Sequence, residues 1–191
     1  NAETGTGPHT ITLTSEGPYV LACGTDEDGN VDGDLDIDAD DAVIITHPGP
    51  GRAIIEVDQT GGGCDTERVL DIVAAESVRL ERLVIRGGDL TAVTGSVESG
   101  WGGGIRSVSV DLELDDVVVE DNRSADGEPG PVAALAAGGA GGGIYVKAAS
   151  LEIVDSIIQD TRAGDGALGD GNNGGAGGNG GGIAIVDTAA T

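Results

Sequence analysis

The side chains best able to do chemistry in this chain are carboxylates: of 191 residues, 34 are Asp or Glu and only 9 are Lys or Arg, a formal net charge of −25. The densest run is Asp26-Glu-Asp-Gly-Asn-Val-Asp-Gly-Asp-Leu-Asp-Ile-Asp-Ala-Asp-Asp41. Within it Asp28, Asn30, Asp32 and Gly33 match the first half of a D-x-N-x-D-G calcium loop, in which alternating oxygens wrap a hard cation and glycine permits the turn. The bidentate acid expected at the twelfth position is missing, because Ala39 stands there. Two readings follow. Either calcium is held by some of Asp26, Asp28, Asn30, Asp32 and Asp34, or the run is a solvated loop entering a strand, with Leu35 and Ile37 inward and Asp34, Asp36 and Asp38 outward.

Other chemistry is sparse. His9 and His47 both adjoin proline, Lys147 is the sole lysine, and the only aromatic residues are Trp101, Tyr19 and Tyr145. There is no Ser/His/Asp set, P-loop or dinucleotide fingerprint, and the glycine runs precede strands and loops, so they are not phosphate cradles at helix N-termini. The expectation is a non-enzymatic protein with no required cofactor, the calcium considered above being the one candidate. A basic patch able to displace counterions from phosphate is also lacking, which excludes an electrostatic nucleic-acid binder. No apolar run approaches the roughly 20 residues of a membrane-spanning helix, so no membrane insertion is expected. The chain begins at Asn1 and reads as a mature exported protein freed of its signal peptide. In that setting Cys23 and Cys64 are expected to pair, closing a loop that stabilises by roughly 3–4 kcal/mol.

The elements that must position these groups show themselves through a repeat. Gly102-Gly-Gly-Ile105 recurs as Gly141-Gly-Gly-Ile144 and as Gly180-Gly-Gly-Ile183, 39 residues apart each time. Behind it, Asp111-Leu-Glu-Leu-Asp-Asp-Val-Val-Val-Glu-Asp-Asn-Arg123 aligns with Ser150-Leu-Glu-Ile-Val-Asp-Ser-Ile-Ile-Gln-Asp-Thr-Arg162. Looser copies are expected at Ser77–Gly88 and at Asp34–Ile45. Short apolar/polar alternations separated by acidic corners read as strands with abrupt turns. Stacked at about 4.8 Å, they bury aliphatic ladders without needing large aromatics. The same stacking opposes Glu113 to Glu152, Asp116 to Asp155 and Asp121 to Asp160. That is a repulsion which Arg123 and Arg162, stacked nearby, are expected to relieve in part. Trp101, at the end of an insert, anchors its loop or forms a subunit contact.

These motifs resemble the right-handed parallel β-helix repeat proteins of bacterial surfaces, with repeats of the form GGGI…LxLxxxxI; Gly17-Pro-Tyr-Val20 and Gly33-Asp-Leu-Asp-Ile37 look like the openings of such proteins. The resemblance implies an all-β, right-handed parallel β-helix with long Gly-rich loops inserted at one corner, and an adhesin-like or autotransporter-passenger-like surface role. The expected organisation is a single domain over 1–191. It comprises an N-terminal strand, cap and acidic loop (1–33), coils (34–123), Gly-rich inserts (124–140 and 163–179) and an incomplete last coil (180–191). An open last coil is a template for another chain, and two explanations are open: the sequence is a piece of a longer surface protein, or the next subunit completes the coil. The expected contact joins Thr10, Ile11, Thr12 and Leu13 of one subunit to Ile183, Ile185 and Val186 of the next, a head-to-tail homopolymer. The functional expectation is a secreted structural or adhesive surface protein, a filament subunit that also meets surface glycans. The alternatives are a carbohydrate-active β-helix, lyase-like or hydrolase-like, and a calcium-dependent carbohydrate-binding module.

Overall fold

The computed structural model describes residues 7–23, 33–60, 64–93, 99–129, 137–168 and 175–187. Fifteen short strands form three parallel sheets of five, and there is no α-helix among the described residues. Sheet A stacks β1 (His9–Thr12), β4 (Val43–Thr46), β7 (Ser77–Glu81), β10 (Asp111–Asp115) and β13 (Leu151–Val154). Sheet B stacks β2 (Tyr19–Leu21), β5 (Ala53–Val57), β8 (Leu83–Arg86), β11 (Val118–Glu120) and β14 (Ile157–Gln159). Sheet C stacks β3 (Leu35–Asp38), β6 (Leu70–Ala74), β9 (Ile105–Val108), β12 (Ile144–Lys147) and β15 (Ile183–Val186). Three consecutive strands make one layer, so the chain is a parallel β-solenoid that winds four times between β1 and β13. Strands β1 and β2, within the expected cap region, already belong to its first layer.

Register explains the core. Inward positions stack as continuous aliphatic columns, such as Ile45, Leu80 and Leu114, or Leu70, Ile105 and Ile144, and all six of these side chains are fully buried. Period-two alternation places the intervening residues outside. The segment Asp34–Ile45 corrects the expected alignment. It runs from sheet C into sheet A, whereas Ser77–Arg86 runs from sheet A into sheet B. The two share a Leu-x-Ile-like rhythm because inward aliphatic residues at alternate positions recur in strands of all three sheets.

Corners divide into tight and open ones. Between sheets A and B of the last three layers the chain turns through Arg82, Asp116 or Asp155, each with φ of 47–57°. All five long connections (22–34, 58–69, 87–104, 121–143 and 160–182) leave sheet B and return to sheet C at a single corner. Their limbs interleave outside the solenoid. The N–H of Ala125 donates to Gly100 O, Gly139 to Ala125 O, Gly164 to Gly139 O and Gly178 to Gly164 O, at 2.7–3.0 Å. A Cβ on Gly139, Gly164 or Gly178 would collide with the carbonyl of Gly100, Ala125 or Gly139 respectively. Glycine is therefore required here by close backbone approach.

Candidate functional site

Two regions bring chemistry-bearing residues together: a charge cluster on the outer face of sheet C, and the open layer at β13–β15. The cluster grows from two copies of Leu-Asp-Ile, Leu35–Ile37 on β3 and Leu70–Ile72 on β6, which pair residue for residue. Their Leu and Ile point inward, so Asp36 and Asp71 stack outside, followed in the same column by Arg106, Tyr145 and Ala184. Asp34 joins from the preceding turn, and the oxygens of Asp34, Asp36 and Asp71 lie within 4.8 Å of one another.

Two guanidinium groups occupy this cluster. Arg68 Nε donates to Asp34 Oδ2 at 3.1 Å and lies 3.5 Å from Asp71 Oδ2, while Arg106 Nε donates to both oxygens of Asp71 at 3.0 and 3.1 Å. Arg68 also donates to the carbonyls of Trp101 and Ser99 at 2.6 and 2.7 Å, which draws the 87–104 connection over the sheet. Burial pushes the Asp34 carboxyl up to about 7, against the pull of Arg68, with Asp36, Asp71 and Glu67 adding to the rise. Asp34 is thus a buried arginine partner with a side chain only 14% exposed, which corrects its reading as an outward residue of a solvated loop. Of the expected calcium ligands it alone is described; Asp26, Asp28, Asn30 and Asp32 lie outside the described residues. Three carboxylates facing two arginines make a compact charged clamp between layers one to three. Its acidic donor set also fits a hard cation if the guanidinium groups are displaced.

Arg68, Asp71 and Arg106 were not singled out by sequence reasoning. The repeated Leu-Asp-Ile was the available signal, and it becomes informative only once the register stacks the two copies. Trp101 packs on Tyr145 with ring centroids 4.8 Å apart and planes tilted by 58°, in keeping with its expected role as a loop anchor.

The expected stacked acids resolve differently. Glu113 does pair with Glu152, but the compensating cation is Arg79, which engages Glu81, Glu113 and Asp115. Arg52 reaches Asp116. Arg123 and Arg162, which do stack, bind Asp126 and Asp165 instead. Asp116, Asp155, Asp121 and Asp160 all have positive φ of 47–57°. These aspartates recur because the corners need a left-handed residue, a conformation that Asp tolerates better than most. His47 is likewise structural: it is buried, and its Nδ1 lies 2.8 Å from Leu13 O.

Cys23 and Cys64 form a disulfide that joins the first two long connections, as expected. The bond is compatible with an extracellular protein.

At the other end, the last layer exposes what the preceding layers bury. Ile153 is 38% exposed and Ile185 55%, whereas their column neighbours Leu114 and Val146 are fully buried. Val154, Ile157 and Val186 are also exposed. The first layer shows Ile11 in the same way, in the column of the buried Ile45.

Fold and sites together define an all-β parallel solenoid with a charge clamp near one end and an apolar open edge at the other. Comparisons with protein-family models, curated proteins and solved structures found no match. Of the resemblance read from the GGGI motif, the parallel β-solenoid is what the structure bears out.

Proposed function

We propose that this chain is a non-enzymatic, secreted structural or adhesive surface protein whose solenoid is a subunit extended end to end into a filament. The observation that carries the reading is the aliphatic edge of the last layer, with Ile153 and Ile185 at core positions yet open to solvent. Unpaired backbone and apolar ladder positions on one edge favour addition of another β layer. The net charge of −25 keeps such a fibre soluble and leaves its flanks free to meet surface glycans. Calcium is dispensable in this reading, because Arg68 and Arg106 supply counter-charge to the Asp34–Asp36–Asp71 cluster. The carbohydrate-active alternative would draw on Asp116 and Asp155, and Asp116 is already engaged by Arg52.

Negative-stain electron microscopy with sedimentation tests the proposal. Linear filaments from the intact chain, lost in Ile153→Asp, are the expected result. Monomers from the intact chain at every concentration would overturn it.

A further inference from the structure

We infer that the partner seated on the open β13–β15 layer is the β1–β3 layer of a second copy of this chain, held in one register by three sheets at once; this rests on the end-to-end reading above. The pairing inside the molecule shows which residues would meet. Sheet A carries the inward column Ile11, Ile45, Leu80, Leu114, Ile153. Sheet B carries Tyr19, Ile55, Ile85, Val119, Ile158. Sheet C carries Leu35, Leu70, Ile105, Ile144, Ile183. A second copy that continues the winding therefore sets Ile11 on Ile153, Tyr19 on Ile158, Leu35 on Ile183 and Ile37 on Ile185. Apolar meets apolar in these four pairs, and His9, which heads the inward column Val43, Val78, Leu112, Leu151, would be set on Leu151.

Charge separates this junction from any other contact the chain could make with itself. The outward pairs become Thr10 on Glu152, Thr12 on Val154, Val20 on Gln159 and Asp36 on Ala184. No carboxylate faces another. Inside the molecule three acid-on-acid steps between paired strands, Glu81 on Asp115, Glu113 on Glu152 and Asp36 on Asp71, lie beside Arg79 or the Arg68–Arg106 pair. The strands β13, β14 and β15 hold one acid, Glu152, and one base-free apolar set, whereas the chain as a whole carries a formal charge of −25. Flank-to-flank contact is consequently repulsive and end-to-end contact is not, since like charges placed directly opposite destabilise.

Register is fixed by geometry as well. A one-residue slip would turn Thr10 and Asp36 into the core and expose the aliphatic set. A two-residue slip would carry each of the three strands toward a corner together, because the layer is a closed path around one core. The contact is heterologous, so it repeats without closing.

Cross-linking tests the register. Thr10 and Glu152 are both exposed and outward, so cysteines there would be neighbours across the junction, whereas a Thr12→Cys partner would be displaced by about 7 Å along the strand. Thr10→Cys mixed with Glu152→Cys is expected to give roughly tenfold more oxidised dimer than either variant alone or than Thr12→Cys with Glu152→Cys, since only the first pair falls within disulfide reach. Sedimentation of the unmodified chain is run in parallel. Association without the Thr10–Glu152 cross-link, or efficient self-cross-linking of Glu152→Cys, would overturn the register and leave end-to-end growth standing. Absence of any species larger than a monomer would overturn both.

Discussion

Layers one and two are tied together by side chains: the Cys23–Cys64 disulfide bridges their long connections, and Arg68 draws Asp34 and Asp71 together beneath the carbonyls of Ser99 and Trp101. Layers three to five, by contrast, carry no disulfide, and at that corner their long connections are held by a backbone relay of N–H···O bonds, Gly100–Ala125–Gly139–Gly164–Gly178, with side chains such as Ser124 and Asp126 beside it. The comparison teaches that a solenoid with a thin aliphatic core needs a second fastening at its open corner, and that covalent, ionic and glycine-backbone devices can each serve. It also accounts for the sequence. The 39-residue repeat is strict where glycine limbs must interleave and loose where side chains do the fastening.

The largest effect expected from breaking this contrast is at the first fastening. Replacing both Cys23 and Cys64 by Ser removes the cross-link closing a separation of 41 residues, and should cost about 4 kcal/mol in the chain-entropy account. Denaturant unfolding would measure the loss, and hydrogen exchange should rise in β1–β6 while β10–β15 stays protected. Next comes the glycine relay. Gly164→Val drives a side chain into the Ala125 carbonyl and should cost about 1–3 kcal/mol as overpacking does, with exchange rising in 124–127 and 163–168 and the disulfide end unaffected. If both variants loosened the same region, the division into two fastenings would fail.

The third effect is a pH dependence. Asp34 titrates at about 7 in the folded chain, above the value of about 4 for an unfolded Asp. The folded state then holds this proton more tightly, so its contribution to stability is complete below about pH 4, is lost as pH rises through 7, and is flat beyond. The difference in stability between the wild type and Asp34→Asn isolates this group from the other carboxylates. It should fall across pH 4–7, and a difference that rose instead would mean that Arg68 outweighs burial.

Much of the fold was legible from period-two alternation and the recurrent Gly-Gly-Gly-Ile, because a parallel solenoid repeats its strand pattern with little alteration. The first half was harder to align. Asp34–Ile45 and Ser77–Gly88 have similar rhythms on different pairs of sheets, and only hydrogen-bonded register separates them. The acidic corners were read as stacked charge, whereas Asp116, Asp121, Asp155 and Asp160 answer first to backbone conformation. The arginine clamp was invisible for a further reason: Arg68 and Asp34 are 34 residues apart, and no local pattern says that a single winding brings them into contact.

The direction of the ladders has a mechanical consequence. In all three sheets the interstrand hydrogen bonds run along the solenoid axis, so a pull along that axis loads the layer boundaries in series and the weakest parts first. Rupture cannot begin between layers one and two, where the disulfide carries the tension. It must begin farther along, where a parted boundary releases a full winding of chain and dissipates work with each layer lost.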